Sequence, residues 1–326
     1  MKKIRYLIFA VLCVLTLPGF IGGTVYAEEN DVYLGGMTAG FSLKTRGAFV
    51  MGISDVLTKN GVISPAKNAG IMIGDVILSI DGKDVNDAAE IEQTVQDEKE
   101  KTMRIDRSGE SLFVGIIPAR DTGGKLRLGI FIREGVNGIG TVTFIQGNRV
   151  ASLGHPVSGQ GGKPLEIRGG NLCACDITGV VKGERGAPGE LRGVFNKNKV
   201  YAYTDKNIYC GVYGKINTSF DKKNLTKIEI GSGKMGEASI FSNIEGSNPK
   251  EYKIAIIKAS GTDFTDKNFV IKVTDKVLLE KTGGIVQGMS GSPIVQNGKL
   301  VGAVTHVFIN DPTKGFGISI ENMLNN

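Results

Sequence analysis

The sequence predicts a mainly β chain in two unequal parts, an α+β module followed by a larger barrel or sandwich of short strands. Three observations predict it. Beyond residue 125, the runs Leu128 to Ile132, Gly140 to Ile145, Ile254 to Lys258 and Val270 to Val273 are separated by glycine-rich turns, the spacing of an all-β unit. Helical patterning is strongest in two short stretches near residues 64 and 87. The chain holds 47 glycines in 326 residues, about twice ordinary usage, with no G-X-Y period that would indicate collagen. Hydrophobic residues at 41% and charged residues at 22% are those of a globular chain, and the length suits two domains.

The N-terminus carries an export pattern. Lys2, Lys3 and Arg5 precede the apolar run Leu7 to Leu17, Pro18 to Gly23 break it, and Val25-Tyr26-Ala27 offers small residues for cleavage. Residues 1–27 are therefore expected to be a signal peptide or membrane anchor, and 28–33 a linker. Setting those three cations aside leaves 36 positive against 33 negative residues, or +3 instead of +6. No dense Lys/Arg cluster remains, so nucleic acid is not an expected partner.

Cys13 lies in the signal, leaving Cys173, Cys175 and Cys210. With only His155 and His306 besides, no metal site is expected. Cys210 paired with Cys173 or Cys175, and three buried free thiols, are both open readings.

Residues 34–119 read as a peptide-binding module. Ser64-Pro65 supplies an N-cap and first helical position, Gly70 closes that helix, and Asp81-Gly82 makes a hairpin turn after Val76-Ile77-Leu78. Asp87-Ala88-Ala89-Glu90 has capping-box spacing and opens a helix expected to run to about Gln96, with Ala88, Ile91 and Val95 on one face. Gly40-Phe41-Ser42-Leu43, the stretch from Ser64 to Gly70, and Ile73-Gly74-Asp75-Val76-Ile77 resemble a PDZ domain of the bacterial protease type. The resemblance implies that a C-terminal or internal peptide tail adds as a strand beside Gly40, Phe41 and Leu43. Its carboxylate would meet amides near Gly40, and Ile91 and Val95 would wall the side-chain pocket.

Residues 120–326, which open on a Thr122-Gly123-Gly124 linker, carry the chemistry. Gly186-Ala187-Pro188-Gly189 reads as a long loop inside this part. In Gly288-Met289-Ser290-Gly291-Ser292-Pro293, glycines on both sides of Ser290 permit a tight turn that exposes Oγ. The motif resembles the G-x-S-G-x-P turn of chymotrypsin-like serine proteases, which implies an oxyanion hole made by the N–H groups of Gly288 and Ser290. His155, in a loop-like Leu153-Gly154-His155-Pro156, is the candidate general base. His306 is its rival and, with Thr305, is expected to line the substrate cleft. Asp275, Asp176 and Asp205 all qualify as the orienting carboxylate, and spacing does not choose among them.

The signal or anchor, the PDZ-like module, Leu153-Gly154-His155, Val273-Thr274-Asp275, and the run from Thr282 to Asn310 together resemble the stage IV sporulation protein B peptidase family. The continuation Asp311 to Gly317 adds to it. The resemblance implies a chymotrypsin-like double β-barrel with His155 as base, Asp275 as acid and Ser290 as nucleophile, and no cofactor. It also implies an enzyme acting between the two membranes around a forespore. There it would cleave a membrane-bound regulator, so that an intramembrane protease can mature a late sporulation sigma factor. A non-catalytic PDZ scaffold and a general quality-control protease reading exposed C-termini are the alternatives.

Overall fold

The computed structural model describes residues 31–159, 162–261 and 265–325, so the expected signal segment lies outside the described residues. The first stretch comprises β1 (Val32–Leu34), β2 (Thr38–Ile53), β3 (Val56–Thr58), β4 (Gly61–Ile63), α1 (Pro65–Asn68), β5 (Val76–Ile80) and β6 (Lys83–Asp84). It continues through α2 (Ala88–Thr94), β7 (Lys101–Arg107), β8 (Glu110–Ile116), β9 (Ala119–Arg120) and β10 (Leu126–Arg127). Then come β11 (Ile130–Gln146), β12 (Arg149–Ser152), β13 (Ile167–Val181), β14 (Glu190–Ile208) and β15 (Gly211–Ile216). The last stretch is β16 (Glu229–Ile230), β17 (Gly236–Ser242), β18 (Lys250–Ala259), β19 (Phe269–Val273), α3 (Lys276–Thr282), β20 (Pro293–Gln296), β21 (Lys299–Val307), β22 (Lys314–Ser319) and α4 (Ile320–Leu324).

Two rings of strands close on themselves. β2, β11, β12, β15, β14 and β13 pair in that order, and β13 pairs back to β2, giving a six-stranded antiparallel barrel. β21, β20, β17, β18, β19 and β22 repeat the plan, with β22 returning to β21. Closure removes the unpaired edges that an open sheet would expose. Alternation along each strand fills the interiors: on β18, Tyr252, Ile254 and Ile256 point inward while Glu251 and Lys253 face solvent. Phe144, Ala151 and Tyr213 of the first barrel join Leu300, Ala303, Ile318 and Met323 of the second half in one apolar cluster between them. This is the expected chymotrypsin-like double barrel.

The PDZ module is inserted into the first barrel instead of preceding it. The first part of β2 lies in the barrel wall, whereas Ala48 and Phe49 pair with Ile77 and Val76 of β5. β11 does the same in reverse: Ile130 to Arg133 pair with the module end of β2, and Gly135 to Thr141 with its barrel end. Ala48, Val50, Ile77, Ile80, Met103 and Ile105 form the module's own core. The expected boundaries are corrected accordingly. Val32 and Tyr33, placed in a linker, form β1 with Leu34 against Phe144 to Gln146, and residues 34 and 38–45, placed in the PDZ domain, belong with the barrel.

This insertion overturns the expected peptide-addition strand. Phe41 pairs with Gly138 on one side and Leu172 on the other, and Leu43 with Val136 and Gly170. A strand hydrogen-bonded on both sides cannot accept a third. Gly40, Phe41 and Leu43 are barrel wall, with Phe41 and Leu43 buried in its core.

Local signals are otherwise followed closely. Asp81-Gly82 and Asn297-Gly298 both take left-handed φ values, 49° and 77°, 52° and 74°, and make two-residue hairpins between Ile80 and Lys83 and between Gln296 and Lys299. Asp87 caps α2 by accepting from Glu90 N at 2.8 Å, and α2 ends at Thr94, two residues short of expectation. Ser64 gives α1 no side-chain cap; its Oγ donates to Asp55 Oδ1 at 2.6 Å instead. Cys173, Cys175 and Cys210 are buried free thiols.

Candidate active site

Ser290 stands in the turn before β20, at the junction of the two barrels. Gly288 and Gly291 have φ of 97° and 92°, conformations that favour glycine. A Cβ on Gly291 would lie 2.1 Å from Thr141 O and 2.5 Å from Leu153 N, so no other residue fits. β11 of the first barrel clamps this turn: Thr141 N donates to Ser290 O at 2.8 Å, Thr141 Oγ1 to Gly288 O at 3.0 Å, and Thr143 Oγ1 to Gly291 O at 2.8 Å. Both threonines are fully buried. The N–H groups of Gly288 and Ser290 make no hydrogen bond with any described residue, leaving them free to receive an oxyanion.

His155 follows a turn in which Leu153 and Gly154 have φ of 69° and 70°. Gly154 packs against Thr305 and Leu153 against Gly291, which brings the histidine loop and the serine turn together. Nδ1 of His155 is 2.8 Å from Pro156 O. A carbonyl oxygen only accepts, so Nδ1 carries the proton and Nε2 presents its lone pair, the tautomer a general base needs. Burial pushes the His155 pKa below its ordinary 6.5, partly offset by the Pro156 bond and the charge of Asp266. Ser290 Oγ donates to Thr305 O at 2.7 Å rather than to the imidazole.

The expected acids lie elsewhere. Asp275 is the N-cap of α3: Oδ1 accepts from Leu278 N at 3.0 Å and Oδ2 from Lys253 N at 3.3 Å. It makes no hydrogen bond or ion pair with His155, which corrects its expected place beside the imidazole. Asp205 is held by Arg149 at 2.6 and 3.0 Å, and Asp176 is an exposed residue of β13. The carboxylate that the barrels do bring here is Asp266, from the β18–β19 connection. Its Oδ2 is 3.6 Å from Nδ1 of His306, whose ring packs against His155 with centroids 4.6 Å apart.

Thr305 is likewise corrected as a cleft residue. It is buried, its Oγ1 donates to Asp266 O at 2.8 Å and its carbonyl holds Ser290. Thr141, Thr143 and Asp266 were not legible as site residues. Thr141 and Thr143 share one face of a strand at period-two spacing, a signal of a common role but not of which role.

Ile91 and Val95 do wall a cleft, though not the expected one. It encloses about 470 Å³, and the opposite side is Leu128, Ile130, Phe131 and Ile132. There β11 pairs only with β2 among the described strands, so its other edge faces α2.

Residues 124–324 match the SpoIVB peptidase S55 family, and residues 60–107 a PDZ domain. The chain belongs to the SpoIVB peptidase S55 family. It is a serine peptidase with a PDZ domain. The S55 match begins within the second half of the PDZ insertion, so it omits β1 and also β2, the strand that closes the first barrel. No curated protein matches the chain. Among solved structures, the S55 chain is similar to an inactive mutant form of Rv3671c from M. tuberculosis, at 15% identity and a TM-score of 0.33 over 58% of this chain and 79% of that one. It is also similar to the scabies mite inactivated protease paralogue S-D1, at 14% identity and a TM-score of 0.33 over 58% and 88%.

Proposed function

We propose that this peptidase is exported and acts in sporulation signalling. It would cleave a membrane-bound regulator between the two membranes around the forespore, so that an intramembrane protease can mature a late sigma factor. The family supports the sporulation setting, and the pattern from Lys2 to Ala27 supports export.

Ser290 is the nucleophile and His155 the base. Rotation about the Ser290 Cα–Cβ bond would release Oγ from Thr305 O and turn it toward His155, a rearrangement that substrate binding would complete. His155 takes the Oγ proton as Oγ attacks the scissile carbonyl, and the amides of Gly288 and Ser290 receive the negative oxygen. The imidazolium returns the proton to the leaving amine, and water repeats the cycle on the acyl-enzyme. No metal or organic cofactor is needed. The observation that carries this reading is the pair of unengaged amides, of Gly288 and of Ser290 itself, in a turn whose position 291 admits only glycine.

An extended peptide from the substrate would add at the free edge of β11 beside α2, with an apolar side chain between Ile91 and Val95. The test is incubation of the purified chain with membrane-anchored candidate regulators in vesicles, and with unfolded casein. One discrete cut in a regulator with casein intact is expected; broad casein degradation would favour a quality-control protease.

A further inference from the structure

Two features near Ser290 are not used by the mechanism above. His306 lies on β21, one residue beyond the carbonyl that holds Ser290 Oγ. Its Nδ1 is shielded from solvent yet has no hydrogen-bond partner, and the nearest charged group is the Asp266 carboxylate at 3.6 Å. That is too long for a hydrogen bond and short enough for an ion pair. The two rings stack at 4.6 Å with an interplanar angle of 36°. Asp266 itself is fixed through its backbone, because its carbonyl accepts from Thr305 Oγ1 at 2.8 Å. A carboxylate and two imidazoles thus lie along one line of contacts, beside the strand whose Thr305 carbonyl holds the nucleophile.

The geometry points to Asp266, acting across His306, as the positioning group that orients the imidazole pair and balances the charge on His155. This inference rests on the peptidase reading above. When His155 takes the Ser290 proton, a cation forms in a half-buried pocket, and a nearby anion lowers the cost of that step. Only one of two stacked imidazoles can carry the charge without repulsion, so His306 must stay neutral. Burial first, and then the neighbouring His155, push the His306 pKa down to about 4, while Asp266 opposes them and Lys267 adds to them. Pro156 O already fixes the His155 tautomer. Asp266 therefore has no tautomer to select, and its loss should cost less than the ~10⁴-fold seen when a tautomer-fixing aspartate becomes asparagine.

The test uses the full chain and a fluorophosphonate probe, whose reaction with Ser290 needs no knowledge of the natural substrate. The second-order labelling rate is measured against pH for wild type, Asp266→Asn, His306→Phe and Asp275→Asn. Asp266→Asn should slow labelling on the order of 10- to 100-fold and move the acid limb to lower pH, because removing the anion makes His155 harder to protonate. His306→Phe keeps the stacking and should slow labelling less. Asp275→Asn retains a good N-cap and should match wild type in rate and profile. A wild-type rate and profile in Asp266→Asn would overturn the inference, as would the same loss and shift in a folded Asp275→Asn. Absence of Ser290 labelling in wild type would sink the peptidase reading instead. Titration of both imidazoles by NMR then decides separately: a downward shift of both in Asp266→Asn supports the pairing, and unshifted signals refute it.

Discussion

Thr141→Val isolates the clamp between the barrels. Valine keeps the shape of threonine, so no cavity opens, and the Thr141 N–H bond to Ser290 O is retained. What is lost is the 3.0 Å bond from Oγ1 to Gly288 O, a buried carbonyl with no replacement donor. Leaving such a group unsatisfied costs about 1–3 kcal/mol. If that penalty falls on the folded state as a whole, Tm drops by roughly 2–4 °C per kcal/mol for a chain of this size. If the turn relaxes by tilting the 288–290 peptides, the oxyanion donors move and the same energy appears as a loss of about 5- to 150-fold in labelling or cleavage rate. Thermal melts and fluorophosphonate labelling of the same preparation measure both. Thr143→Val, which removes the bond to Gly291 O, is the matched control one alternation along β11. Wild-type melting together with wild-type labelling in Thr141→Val would refute the claim that β11 holds the serine turn.

Further outcomes follow from the same geometry. Asp275→Ala should destabilise by about 1 kcal/mol through loss of the α3 cap, read by thermal melts, while leaving the pH profile of labelling in place. In wild type the rate should fall on the acid side with a midpoint below 6.5, since burial depresses the His155 pKa and only the neutral imidazole accepts a proton; a midpoint above 7 would contradict it. Val95→Asp should weaken binding of extended apolar peptides in a fluorescence titration by placing a charge on the cleft wall, whereas Leu43→Ala should act on stability, by about 2–5 kcal/mol, as a barrel-core cavity.

Turns and caps were legible because their causes are local. Asp81-Gly82, Asn297-Gly298 and Asp87 each act on residues within a few positions, and each does what its sequence predicts. The serine turn was legible for the same reason, since Gly288 and Gly291 flank Ser290. Gly40 to Leu43 misled because an apolar strand beside a glycine looks the same whether its edge is open or paired, and the pairing with β13 comes from more than 120 residues away. Asp275 misled in the opposite way: Asp-Lys-Val-Leu-Leu is also a local N-cap signal, and the cap is where the carboxylate is used. Asp266 had no local mark at all. Only closure of the second barrel brings the β18–β19 connection against β21 and His306.

The most direct measurement is the identity of the residue that a fluorophosphonate modifies. The purified chain is labelled at neutral pH, digested and mapped by mass spectrometry, beside a heat-denatured sample and Ser290→Ala. A single adduct on Ser290, absent from both controls, is the expected result. Equal labelling of Ser290 before and after denaturation, or an adduct on Ser292 that survives in Ser290→Ala, would contradict a folded active site built around Ser290.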